Sequence, residues 1–145
     1  MKWTCEDAKR AYRAKPHEVE PSCESDYDPI IDSIGAPVIK VSDDEYQGDT
    51  RILFQGAIGF GHLIIGWGSC SGCDALQACE SWQEIADLRN RLDDAVIWLP
   101  QDQMLAWFRN HDWGGDWSAN DEKTIEYRKA CELLLSHGCQ YVGLI

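Results

Sequence analysis

The feature that most limits what this chain can fold into lies between residues 50 and 67. Thr50 to Gln55 sets Ile52 and Phe54 on one face of an extended segment, Gly56-Ala57-Ile58-Gly59 supplies a turn, and Phe60 to Trp67 returns. Two such runs joined through glycines predict a β-hairpin. The unbroken apolar run Leu63-Ile64-Ile65 predicts that the returning strand is covered on both faces. A two-stranded ribbon cannot provide that cover, so other elements must pack against it.

Those elements read as helices. From Asp74 the apolar period becomes helical. Ser81 to Glu84 resembles a capping box, and Ile85, Leu88, Leu92, Ala95, Val96 and Leu99 line one face of a predicted helix ending before Pro100. Residues 74–80 are either a separate turn or the start of that helix, depending on whether Ser81 caps it. Gln101 to Asn110 predicts a further helix, and Asn120 or Asp121 caps a predicted helix from Glu122 to His137, closed by Gly138. At the other end, Thr4 and Asp7 resemble a capping box, with Pro16 expected to stop the helix they open. Pro37 to Val41 reads as an edge strand, and Ile30, Ile31 and Ile34 as one helical turn. Cys139 to Ile145 reads as a last strand or a docked tail.

The expectation is one α+β domain over residues 1–145. A small antiparallel sheet with a central hairpin at about 50–67 is packed by three or more helices, with a helical extension at about 4–15 and a loop at about 16–29.

Charge narrows the partners. Twenty-five acidic residues against 13 basic ones leave a net charge of −12, which argues against nonspecific capture of nucleic acid. The densest acidic stretch, Glu18 to Glu45, is opposed only by Lys40. It reads as solubility or as a surface presented to a basic protein. No run of 18 apolar residues suggests a membrane span, and charge follows Met1 at once where a signal peptide needs an apolar core, so a reducing cytoplasm is the expected location.

Seven cysteines, at 5, 23, 70, 73, 79, 131 and 139, cannot all pair within one molecule. Cys70, Cys73 and Cys79 lie within ten residues and admit three readings. As zinc ligands they need a fourth donor, for which Cys23, His62, Cys131, His137 and Cys139 are candidates; an iron–sulfur cluster is the rarer variant. As a redox dithiol at a helix start, Cys70 is the attacking thiol and Cys73 the resolving one, with Asp74 adding repulsion. As small hydrophobes, Cys73 and Cys79 pack a helix against the sheet. Gly68, Ser69, Ser71 and Gly72 add a nest of amides suited to a phosphate, although no phosphate-loop lysine is present.

Asp49 and Arg51 share a strand face, so they form a local ion pair or bind a ligand carboxylate or phosphate, with Tyr46 offering a hydroxyl or a stacking surface. Trp107, Trp113 and Trp117 surround Gly114-Gly115 as a core flap or a recognition surface. His62 reads as a core histidine, and His111-Asp112 as an incidental loop pair.

Tyr46-Gln47-Gly48-Asp49-Thr50-Arg51 together with Gly68-Ser69-Cys70-Ser71-Gly72-Cys73-Asp74-Ala75-Leu76 resembles a set of small uncharacterised proteins of bacteria and their phages. The resemblance spans roughly residues 46–98 and implies no activity. It favours an interaction protein, since phages encode many compact acidic inhibitors. The leading expectation is therefore a non-enzymatic binding or inhibitory protein acting on a bacterial host or defence protein, with no catalytic residues and no cofactor. A homo-oligomer is the alternative partner. The alternative functions are phosphate or nucleotide binding, a thiol-dependent enzyme at Cys70 and Cys73, and a zinc-stabilised module held by Cys70, Cys73 and Cys79.

Overall fold

A computed structural model describes residues 1–115 and 121–138. The expected strand at Cys139 to Ile145 lies outside them. Four strands form one antiparallel sheet in sequence order: β1 (Ala36–Ser42), β2 (Gly48–Gln55), β3 (Phe60–Trp67) and β4 (Ile97–Leu99). Five helices accompany them: α1 (Cys5–Ala11), α2 (Asp28–Ile34), α3 (Trp82–Ala95), α4 (Gln101–Asn110) and α5 (Glu122–Ser136). The class is α+β.

The hairpin forms as its pattern demands. β2 pairs β3 from Gly48 opposite Trp67 to Gln55 opposite Phe60, and every β2 residue except Gln55 is buried. β1 lies at the sheet margin, with a register shift between Pro37 and Ile39.

Alternation then divides the molecule. On one face of the sheet Ile52, Phe54, Leu63 and Ile65 pack with Ile31 and Val96. On the other, Val38, Ile39, Leu53 and Phe60 pack with Met104 and Phe108 of α4 and with Tyr127, Cys131, Leu134 and Leu135 of α5. Helices therefore cover both faces, which is what the Leu63-Ile64-Ile65 run requires.

Helix ends follow local chemistry. Thr4 and Asp7 form the reciprocal capping box of α1. Pro16 does not end that helix; Arg13 does, at φ 55°, with Arg13 N–H donating to Arg10 O and Ala14 N–H to Lys9 O. α2 begins inside the expected loop, because Pro29 occupies its first turn, where a missing N–H removes no helical bond.

The predicted helix to Pro100 is corrected. α3 stops at Ala95, Val96 is extended, and Ile97–Leu99 pairs with β3 as β4. The β-branched and aromatic run Val96-Ile97-Trp98 suits a strand, and the open side of β3 satisfies its backbone groups. Gly138, at φ +67°, follows α5 as expected. Among the described residues no helix is long and apolar enough to cross a membrane.

Candidate functional site

The two sequence motifs meet at one end of the hairpin, where Asp49 pairs with Gly66 and Gly48 with Trp67. Their side chains do not converge, because the sheet lies between them. Arg51 and Leu53 face α5, whereas Thr50 and Trp67 line the opposite side with Gly68, Asp74 and Tyr27. The expected ligand site joining Asp49 and Arg51 to the cysteine loop is thus split in two.

On the α5 side, Asp43 closes the β1–β2 turn. Its Oδ2 accepts Asp49 N–H at 2.9 Å and its Oδ1 accepts Arg51 Nη1 at 3.0 Å. Asp49 lies 4.0 Å from Arg51 Nη2, and Arg51 is only 1% exposed. A Cβ on Gly48 would sit 2.6 Å from Asp43 Oδ2, so the glycine makes room for the carboxylate. Asp49 and Arg51 thereby form a sealed ion pair, while Tyr46 stands in solvent on the turn.

On the other side, Asp74 organises the cysteine loop. It is 3% exposed and accepts Gly68 N–H at 2.9 Å, Leu76 N–H at 2.9 Å, Gln77 N–H at 3.1 Å and the Tyr27 hydroxyl at 2.9 Å. Gln77 Nε2 donates to Gly68 O, closing the loop base a second time. Burial pushes the Tyr27 hydroxyl up, so it remains a donor. These amides already hold an anion, namely the carboxylate of Asp74. Lys40, at the rim of the adjoining 320 Å³ cleft, is paired with Asp28. Of the expected phosphate nest at Gly68, Ser69, Ser71 and Gly72, the Gly68 N–H is thereby taken by Asp74.

The loop also departs from a helix start. Residues 70–73 form a turn closed by Cys73 N–H donating to Cys70 O at 3.1 Å, residues 74–80 are a separate turned segment, and α3 begins only after the Ser81 cap. Cys70 and Cys73 are exposed with their sulfurs 3.2 Å apart. Hydrogen bonding with the Cys70 side chain, then with the Cys70 backbone and with Ser69, holds the Cys73 thiol below its ordinary value, and its Sγ lies 3.6 Å from Cys70 O, to which it donates. Asp74 points inward and does not crowd the pair. Cys73 is accordingly no core hydrophobe, whereas Cys79 is.

Cys79 does not join the pair as a third ligand. Its thiol donates to Ala75 O at 3.3 Å, and it packs with Leu76, Trp82 and Ile85. Among the described residues no three His, Cys, Asp or Glu side chains gather as a metal site.

Of the aromatic candidates Trp113 is core and Trp107 is half-buried against it. Trp113 is buried, its Nε1 donating to Phe108 O at 3.0 Å, and Trp107 stacks on His111 at 4.3 Å. Trp117 lies outside the described residues. Trp107, Phe108, Trp113 and Tyr127 surround His62, whose pKa burial pushes down to about 3. His62 is neutral at ordinary pH. Asp112 caps the turn after α4 by accepting Gly114 N–H.

The exposed apolar surface lies elsewhere. Ile58, at the hairpin tip, is 91% exposed, and Ile97 and Trp98 of β4 are 39% and 43% exposed. Ile58 and Trp98 line a cleft of about 290 Å³ with Gly56, Phe60, Leu99 and Pro100, while Ile97 faces the other side of the sheet, opposite His62. Trp98 lies across two glycines, since a Cβ on Gly56 or on Gly61 would come within 2.8 Å of its ring. The sequence signal was the apolar Ile97-Trp98-Leu99 triplet, obscured by assigning it to a helix. Comparison of the chain with protein-family models, curated proteins and solved structures returned no match.

Proposed function

We propose that the protein is a non-enzymatic binding protein that docks a bacterial protein through the hairpin tip and β4. The observation that carries this reading is the exposure of Ile58 and Trp98 together beside one apolar cleft. Large apolar side chains grouped on a surface mark interaction sites more often than singly scattered ones do, and a tryptophan supplies a strong anchor. The net charge of −12 favours a partner with an apolar plug and a basic rim. The resemblance to small bacterial and phage proteins favours a cytoplasmic target in a bacterium and an inhibitory outcome.

Photocrosslinking tests this. A photoreactive residue at position 57 or 58, both lining the cleft, should capture one and the same protein from bacterial lysate, and one at the exposed Val19 should not. Trp98→Asp should reduce capture at least tenfold with an unchanged circular dichroism spectrum, about 1.4 kcal/mol or more of binding energy. Capture of a second copy of the chain alone, or equal capture from position 19, overturns the reading.

A further inference from the structure

The exposed pair Cys70 and Cys73 takes no part in the docking surface, and its geometry assigns it a chemistry of its own. A turn closed by Cys73 N–H to Cys70 O brings the first and fourth Cα atoms within about 7 Å. A disulfide accepts Cα separations of about 4.4–6.8 Å. The sulfurs stand at 3.2 Å, so bonding at about 2.05 Å needs rotation of two side chains rather than rearrangement of the fold.

The loop is braced against such rearrangement. Asp74 ties Gly68, Leu76, Gln77 and Tyr27 together, and a Cβ on Gly68 would meet Cys73 O and Cys73 Sγ at 2.6 Å. Cys73 is therefore seated against a fixed glycine while its thiol stays open to solvent. Cys79 is turned to Ala75 O and Cys23 to Gln77 O, so neither is bonded to the pair.

We propose that Cys70 and Cys73 form a dithiol site for thiol–disulfide exchange with low-molecular-weight disulfides, Cys73 attacking and Cys70 resolving. The Cys73 thiolate attacks one sulfur of the disulfide RSSR, forming the Cys73–SR mixed disulfide and expelling RS⁻, which takes up the proton that Cys73 lost. The Cys70 thiolate then attacks the Cys73 sulfur, forming the Cys70–Cys73 disulfide and expelling the second RS⁻, which takes up the proton of Cys70. Two protein thiols are oxidised and one RSSR is reduced to two RSH. The order is the reverse of the one expected from a helix-start dithiol: Cys73 Sγ is seated against Gly68 with the Cys70 sulfur 3.2 Å away as its hydrogen-bond partner, and contacts with Cys70 and Ser69 favour the thiolate at position 73.

The test uses the full chain in glutathione buffers from largely reduced to largely oxidised, with acid quenching, intact mass and peptide mapping. Expected is a mass loss of two hydrogens that maps to Cys70–Cys73. Cys70→Ser should trap glutathione on Cys73, and Cys73→Ser should load Cys70 about tenfold more slowly. Should a variant not fold, alkylation of the unaltered chain at pH 7 with peptide mapping gives the same ordering, with Cys73 reacting about tenfold faster than the likewise exposed Cys70. Absence of the Cys70–Cys73 disulfide at every buffer ratio, equal rates at the two positions, or protection of the pair that only a chelator removes overturns the proposal. Both serine variants should leave crosslinking from positions 57 and 58 unchanged, which separates this proposal from the docking one.

Discussion

Two loops at the same end of the hairpin use one device for opposite ends. In the β1–β2 turn Asp43 accepts Asp49 N–H, and in the loop after β3 Asp74 accepts the N–H groups of Gly68, Leu76 and Gln77. Each carboxylate satisfies donors that a turn leaves without a ladder partner. A glycine accompanies each, Gly48 beneath Asp43 and Gly68 beneath Cys73. The difference lies in what the locked loop encloses. Asp43 shares its charge with a buried arginine and gives the solvent nothing, whereas Asp74 turns inward and leaves two thiols outside. A motif of small and charged residues can therefore be sealed structure or a presented site, and the side chain facing away from the carboxylate decides which.

The largest effect should come from the sealed loop. Arg51→Met strands Asp43 and Asp49 beside a low-dielectric layer and should cost about 3–5 kcal/mol in denaturant unfolding. On the same face, His62 contributes a pH dependence. Its folded pKa of about 3 lies below the ordinary 6.5, so the unfolded chain binds the extra proton. The stability it contributes is full above pH 6.5 and is lost as pH falls toward 3, at up to about 1.4 kcal/mol per unit. His62→Leu should flatten that part of the stability-against-pH curve; an unchanged slope contradicts the neutral buried state.

The presented loop should respond less in stability and more in reactivity. Asp74→Ala leaves buried N–H groups without an acceptor and should cost about 2–3 kcal/mol while slowing formation of the Cys70–Cys73 disulfide. Gly68→Ala should cost about 1–3 kcal/mol by displacing Cys73. The double change Cys70→Ser and Cys73→Ser should shift stability by less than about 0.5 kcal/mol, since both side chains are exposed. A large loss there would make the second loop as structural as the first and erase the comparison.

The hairpin was legible because a period of two and glycine-bounded turns are local properties. So were the Thr4 and Ser81 caps and α4, whose bounds match Gln101 to Asn110. β4 was not legible. Ile97-Trp98-Leu99 continues the helical period of α3, and only the open side of β3 makes an extended backbone preferable there. Arg89 was missed for a similar reason: it lies on the apolar face of α3, yet is buried because Ser33, Met1 O and Asp93 receive its guanidinium.

Sequence located the cysteine loop of the candidate site but not its separation from Asp49 and Arg51. Clustered glycines, serines and cysteines marked the 68–73 loop, but that Asp74 takes the Gly68 amide depends on a fold in which Tyr27 reaches Asp74 across 47 residues and Gln77 reaches Gly68 across nine. Sequence left Trp107 and Trp113 as a core flap or a recognition surface because aromatics beside glycines carry no label for burial; Trp113 is buried and Trp107 half-buried. The exposed Trp98 stayed hidden inside a predicted helix.

Sequence alone determined the class, the hairpin with its need for cover on both faces, the acidic charge and the position of the thiol pair, since period, turn residues and composition act within a few residues. Tertiary structure decided which carboxylate meets which amide, which tryptophan reaches solvent, and that the two motifs lie on opposite sides of the sheet. Those outcomes depend on strand alternation combined with long-range packing, where a single residue of register transfers a side chain from one face to the other.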